Sequence, residues 1–150
     1  MSSGAFHDGL GLYFLVHVLN PTSVKQRLVA LSPKNAAVIS NISIPNAYVE
    51  NVFYDARNKT LVALAIVNNQ WVVGVLDVKK GTLSNVFQTN FLRKDFEVTG
   101  SSFNYQLRIV TINLVSEMVS INVDYGSISP FIPSGKMPQQ HTLSSFAFLS

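Results

Sequence analysis

The chain contains no cysteine, and charged residues make up only 13% of its 150 positions. Without cysteine it can form neither disulfides nor metal sites with thiolate ligands. The low charge accompanies an apolar content of 47%, which excludes an intrinsically disordered chain, because disorder needs low hydrophobicity and high net charge. A chain of this size buries a core of its own. The shortage of charge indicates that part of its surface is covered, for example by another chain.

Long hydrophobic runs are also missing. The longest apolar stretches, such as Trp71 to Leu76, have the length of a β-strand, whereas a membrane-spanning helix needs about 20 apolar residues. The N-terminal sequence MSSGAFHDGLG lacks the basic and apolar regions of a secretory signal. Two N-glycosylation sequons, at Asn41 and Asn58, permit a secreted protein. The sequence therefore predicts no membrane span and leaves the compartment open.

Basic residues are few and scattered. The net charge is +3 from eleven basic residues, and only Lys79-Lys80 and Arg93-Lys94 are adjacent pairs. Nucleic-acid-binding proteins usually carry a clustered basic stripe. The scatter argues against a nucleic-acid partner, and both pairs are interpreted as solubilising charge on turns.

Short β-type runs dominate what is present, and helical periodicity is almost absent. Five runs are rich in Val, Ile, Leu and aromatic residues and are bounded by turn-forming residues: Leu12–Val18, Leu61–Val67, Trp71–Val78, Leu107–Leu114 and Met118–Val123. Many are apolar at successive positions, which is typical of strands buried on both faces, as in stacked sheets. The sequence predicts an all-β protein.

A repeat organises these runs. The stretches VISNI at 38–42, TLSNV at 82–86 and SISPF at 127–131 follow one another at nearly even steps. Each is preceded by two strand-like runs and, before those, by an aromatic residue and a polar turn. The pattern predicts units of four hairpin-connected antiparallel strands with a period of about 44 to 49 residues.

Three such units account for most of the chain. Their predicted bounds are 5–46, 47–90 and 96–133, and one further strand is predicted over 142–150. Stacking buries the faces between neighbouring units and is expected to leave two large apolar faces open at the ends. Ring-shaped β-propellers have about four to eight units. Three units are too few for such a ring. We therefore expect an assembly of several chains, with strand exchange as one form, a fragment of a longer protein, or a lone three-sheet prism.

Two segments of the second unit carry a family resemblance. NVFYDARNKTLVALAI and WVVGVLDVKKGTLSNVF resemble blades of the β-propeller superfamily, of the YVTN-like or quinoprotein-like type. The turn from Asp77 to Gly81 is the familiar part, Asp124-Tyr125-Gly126 is interpreted as a shortened form, and Ser32-Pro33-Lys34-Asn35 departs from it. The resemblance implies propeller-type blades. The superfamily has many unrelated functions, and no functional residue set of any member is present.

The candidate ligand-binding residues lie where the first strand of each unit ends. Asp8 and Asp55 are predicted to occupy equivalent turn positions, with Asn104 in the third unit. Such a set could bind a cation through oxygen atoms, or it could cap its own turns. Neighbouring aromatic rings could stack on a carbohydrate or peptide, or could pack between sheets. The predicted ligand-binding residues are Asp8, Phe53, Tyr54, Asp55, Phe103 and Asn104.

Catalytic signatures are not found. His7, His17 and His141 have no metal-ligand spacing, and the Gly-x-Ser-x-Gly nucleophile motif is absent. No catalytic residue, metal or cofactor is predicted. The sequence favours a non-enzymatic protein-interaction or scaffold module that binds a protein partner or itself through open blade faces. The alternatives are a lectin-like propeller that binds a glycan or other ligand, and part of a larger propeller enzyme.

Overall fold

The computed structural model describes residues 3–19, 25–93, 97–115, 117–126 and 128–130. These residues form twelve β-strands and no helix, arranged as three four-stranded antiparallel sheets. The predicted all-β architecture of three four-stranded sheets is confirmed. The further strand predicted over 142–150 lies outside the described residues.

Sheet 1 is an antiparallel meander in which each strand pairs with the next one along the chain. Its strands are β1 (Ser3–His7), β2 (Leu12–Val18), β3 (Gln26–Leu31) and β4 (Val38–Ile44).

Sheets 2 and 3 repeat this order. The strands of sheet 2 are β5 (Tyr48–Asp55), β6 (Thr60–Val67), β7 (Gln70–Leu76) and β8 (Leu83–Leu92). Those of sheet 3 are β9 (Val98–Asn104), β10 (Ile109–Leu114), β11 (Met118–Asn122) and β12 (Ile128–Pro130).

Sheet 2 lies between the other two and is buried on both faces. Along β6, Leu61 and Ala63 belong to the core shared with sheet 1, whereas Val62 and Leu64 belong to the core shared with sheet 3. Successive side chains of a strand point to opposite faces, so an uninterrupted apolar run is what a central sheet requires. Burial of each large side chain such as Leu61 contributes about 1.5–3 kcal/mol to folding.

Side-chain amides connect sheets 1 and 2 at two places. Gln26 donates to the carbonyl oxygen of Val49 at 2.7 Å and accepts from its N–H at 2.6 Å. Asn46, in the connection between the sheets, makes the same reciprocal pair with the backbone of Leu83, at 3.3 and 3.1 Å. Because each amide pairs with both backbone groups of one residue, it substitutes for a strand neighbour where no strand is paired.

The hairpins between the third and fourth strands share one design. Each begins at a residue whose side-chain oxygen accepts a hydrogen bond from a backbone N–H of its own turn: Ser32, Asp77 and Asn122. These residues are spaced by 45 positions in both intervals. The turn equivalent to Asp77–Gly81 therefore begins at Asn122 and is not shortened, and the segment after Ser32 is the same turn. The interpretation of Asp124-Tyr125-Gly126 as a shortened form was wrong, because it aligned aspartates and not the strand ends. Ser32 was placed at the matching position and departs from the motif only in its residues.

The fifth residue of these turns has a left-handed backbone, with φ of 57° at Ala36, 72° at Gly81 and 71° at Gly126. Glycine also permits close packing here. A Cβ on Gly81 would lie 2.1 Å from the carbonyl oxygen of Ser43 in sheet 1, and one on Gly126 would lie 2.3 Å from the ring of Phe87 in sheet 2. The turns at Gly81 and Gly126 therefore allow sheets 2 and 3 to pack closely against the fourth strand of the preceding sheet.

Candidate functional site

The hairpins between the first and second strands begin with polar residues that stabilise their own turns. The side chains of three strand-ending residues accept a hydrogen bond from the turn backbone at 3.0–3.1 Å: His7, Asp55 and Asn104. The position equivalent to Asp55 and Asn104 is therefore His7, whereas Asp8 is exposed one residue further along. The predicted equivalence of Asp8 was wrong by one residue, because the sequence pattern of an aspartate in a turn does not locate the strand end.

Asp55 belongs to a buried ion network that sequence analysis missed. The guanidinium of Arg108 donates through Nη1 to Asp55 and through Nε and Nη2 to Asp124, at 3.1 and 3.0 Å. Arg108 is only 5% exposed, and Asp55 is 1% exposed. The exposed Arg57 also reaches Asp124, at 3.5 Å. The network connects the turn after β5 with the first and third hairpin turns of sheet 3.

The charges of this network stabilise one another. The hydrogen bonds that Arg108 donates to Asp124 and then to Asp55 raise the pKa of Arg108 above its ordinary value, and the hydrogen bonds that Asp124 accepts from Arg108 lower the pKa of Asp124. Arg108 also lies over the ring of Phe103, 5.9 Å from its centroid. Because Asp55 is enclosed by its own turn and by Arg108, it stabilises the packing of sheet 3 on sheet 2.

The predicted aromatic residues lie between sheets. The rings of Phe53 and Phe103 are 6.1 Å apart and pack against the core between sheets 2 and 3. Tyr54 instead faces sheet 1, where its hydroxyl accepts the N–H of Gly9 at 3.2 Å and its ring lies 4.8 Å from that of His7. All three aromatic candidates therefore take part in inter-sheet packing.

His7 uses both ring nitrogens in the junction of sheets 1 and 2. Its Nδ1 accepts the N–H of Leu10 at 3.1 Å, and its Nε2 lies 3.0 Å from the carbonyl oxygen of Lys59. The tautomer that satisfies both contacts carries hydrogen on Nε2. Buried to 5% exposure, His7 acts as a structural bridge.

Sheet 1 presents an apolar face on the side away from sheet 2. The alternate residues of its strands, such as Phe14 and Leu28, belong to the core with sheet 2, so their neighbours point the other way. Its apolar part, called the front face, consists of Phe6, Tyr13, Leu15, Val29 and Leu31. Further along the same side of the sheet lie His17, Arg27 and Asn41, and Arg27 donates a hydrogen bond to Asn41. Within the described ranges, the two cores lie between sheets 1 and 2 and between sheets 2 and 3; neither includes the front face.

The corresponding outer face of sheet 3 is largely polar. Val110, Ile112 and Ile121 point into the core with sheet 2, so the residues between them point outwards. Among the described residues, this rear face includes Ile109, Thr111, Asn113, Met118 and Ser120. Over the described residues, the end formed by sheet 3 therefore does not show the apolar face that was expected at both ends.

The described residues contain neither a helix capable of crossing a bilayer nor a group of three or more His, Asp or Glu side chains arranged to hold a metal ion. The candidate sites are thus the front face and the turn cluster around His7 and Arg108. Comparison of the chain with protein-family models and with curated proteins gives no match.

Proposed function

We propose that the chain is a non-enzymatic interaction module built from β-propeller-type blades, and that its front face binds the front face of a second copy. The observation that carries this proposal is the apolar front face of sheet 1. A monomeric protein rarely leaves a contiguous apolar surface of this kind uncovered.

The repeat supplies the first argument. Positions are compared by counting from the left-handed residue that ends the first hairpin of each sheet: Gly11, Lys59 and Arg108. Two and four residues further on, each sheet carries apolar side chains: Tyr13 and Leu15, Leu61 and Ala63, Val110 and Ile112. In sheets 2 and 3 these positions are buried against the preceding sheet. The same positions in sheet 1 therefore form a surface of the type that packs against another sheet.

The second argument comes from the rear face and indicates which surface of a second copy binds the front face. A head-to-tail ring would place the rear face of sheet 3, with Thr111, Asn113 and Ser120, against the front face of a neighbouring copy. Burial of hydroxyl and amide groups against apolar side chains is costly unless they are hydrogen-bonded. Two front faces related by a two-fold axis bring apolar surface against apolar surface, and an isologous dimer has this self-complementary form.

The test is the mass of the chain in solution, measured by light scattering across a concentration series. The wild type is expected to be a dimer. Leu15→Lys, at the centre of the front face, is expected to produce a folded monomer, whereas Thr111→Lys on the rear face is expected to leave the dimer intact. Far-ultraviolet circular dichroism establishes that both variants are folded. A wild type that is monomeric throughout the series would contradict the proposal, as would a dimer that Leu15→Lys leaves unchanged.

A further inference from the structure

We infer that a cavity between the turns of sheets 1 and 2 binds a small organic anion, with the charged group of the ligand between Lys59 and Lys79. This site lies at the ends of the strands, is made by one chain alone, and does not depend on the proposed self-association.

The cavity has a volume of about 290 Å³. One side is formed by His7 of sheet 1. The rest is formed by the start of β6, the end of β7 and the start of β8 in sheet 2, together with the turn residues Lys59 and 77–79. Binding pockets for organic ligands usually begin at roughly 300 Å³. The volume therefore selects a small ligand, of the size of a substituted aromatic or short aliphatic acid.

The rim of the cavity is positively charged. Lys59 and Lys79 are both exposed and both line it, and Asp77 is the one carboxylate among its lining residues. Oδ1 of Asp77 accepts the backbone N–H groups of Lys79 and Lys80 at 2.8 and 2.9 Å. These bonds, that of Lys80 first, lower the pKa of Asp77. The two ammonium groups thus face one carboxylate that is held to its own turn.

The charged residues on the turns around the cavity do not make its surroundings negative. On the turns that contact one another around the cavity, Arg57 and Lys80 are further exposed cations, and Asp8 is an exposed carboxylate. Asp55 and Asp124 are paired with Arg108. His7 contributes an imidazole ring whose two nitrogens are both engaged, with Leu10 and Lys59.

The walls of the cavity account for the organic part of the ligand. Val75 and Val78 are half-buried residues of the lining, which also includes the buried Leu61 and Leu76. A bare inorganic anion gains nothing from valine side chains, whereas an apolar body leaves water when it contacts them. Thr60 and Ser84 also belong to the lining, and a hydroxyl is able to donate a hydrogen bond to an anionic group.

The experiment is an NMR titration of the full chain, followed through the backbone amides of Thr60, Lys79 and Ser84. The probes are 4-phenylbutyrate, phenyl phosphate, the neutral 4-phenylbutanol and inorganic phosphate. Both organic anions are expected to shift these amides, with the tighter one identifying carboxylate or phosphate as the preferred group. The neutral alcohol is expected to bind the wild type about tenfold more weakly than 4-phenylbutyrate does. Lys59→Gln and Lys79→Gln are each expected to weaken the binding of 4-phenylbutyrate by about the same factor. In every case a charge-assisted hydrogen bond is lost.

Lys80→Gln is the matched control, since Lys80 is the exposed neighbour of Lys79 on the same turn but does not line the cavity. It is expected to bind 4-phenylbutyrate like the wild type. The inference is overturned if Lys59→Gln and Lys79→Gln bind as tightly as Lys80→Gln, or if the cavity amides do not respond to either organic anion. An equal response to inorganic phosphate overturns the assignment of an apolar body.

Discussion

Arg108 of sheet 3 donates a hydrogen bond to Asp55 of sheet 2, although the two residues are 53 positions apart in the chain. Both side chains are almost completely buried, at 7% and 1% exposure. Arg108 has a left-handed backbone with φ of 63°, a conformation that is unfavourable for a residue with a Cβ atom. The ion network with Asp55 and Asp124 holds this arginine in place and connects two sheets through their turns.

Arg108→Met is expected to destabilise the chain by about 3–5 kcal/mol, because it leaves the buried carboxylate of Asp55 without its cation. The free energy of unfolding in urea measures this. Arg57→Met is the control, since Arg57 contacts the same network from a side chain that is 66% exposed, and exposed pairs contribute only about 0–1 kcal/mol. Equal losses in the two variants would show that the buried network contributes no more than the surface pair.

The left-handed turn positions give opposite expectations for two substitutions. Gly81→Ala places a Cβ 2.1 Å from the carbonyl oxygen of Ser43 and is expected to destabilise the chain by at least about 1–2 kcal/mol. Ala36→Gly removes a Cβ from the equivalent left-handed position at φ 57°. It is expected to stabilise the chain by about 0.5 kcal/mol. Glycine removes the cost of a left-handed backbone, and the greater conformational entropy that glycine gives the unfolded chain offsets part of this gain. Thermal unfolding of both variants checks the pair. A loss of stability in Ala36→Gly would contradict the equivalence of the turns.

The stacking of sheets could be predicted from sequence because burial on both faces leaves a direct pattern. In β6, Leu61 to Ala65 are apolar without interruption and are buried at 0–2% exposure. Trp71, in the apolar run of β7, is 4% exposed in the cluster between sheets 2 and 3. These features depend on side-chain chemistry along one strand, which a sequence displays.

The turn register and the ion network could not be predicted in the same way. Asp8 and His7 are adjacent polar residues, and only backbone hydrogen bonding distinguishes the strand end from the turn. The partners Arg108 and Asp55 have no local signal, because their contact depends on how sheet 3 is placed on sheet 2. Alignment of Arg108 with the turn glycine Gly11 would have marked it as unusual, since a long charged side chain there needs compensation.

Acidification is expected to remove the contribution of Asp124 to stability. Hydrogen bonding from Arg108 lowers the pKa of Asp124 in the folded chain, so the folded state binds fewer protons than the unfolded state near pH 4. The stabilisation is complete above the unfolded pKa of about 4 and is lost as the pH falls through the lower folded pKa. Urea unfolding should therefore give Asp124→Asn a lower free energy of unfolding than the wild type at neutral pH. This stability gap should narrow as the pH falls below about 4. A stability gap that stays constant or widens on acidification would contradict this assignment.

Gln26 and Asn46 make the same reciprocal pair in different surroundings, which separates the effect of burial from that of hydrogen bonding. Gln26 is 3% exposed, so Gln26→Leu leaves the N–H and C=O of Val49 buried without this partner. The expected loss is about 2–4 kcal/mol, because each unsatisfied buried group costs about 1–3 kcal/mol. Asn46 is exposed, and water can replace its bonds to Leu83, so Asn46→Leu should cost about 1 kcal/mol or less. Urea unfolding measures both losses, and amide hydrogen exchange at Val49 and Leu83 reports the local opening. If the two variants lose equal stability, the Gln26 amide does not act as a buried clamp between sheets 1 and 2.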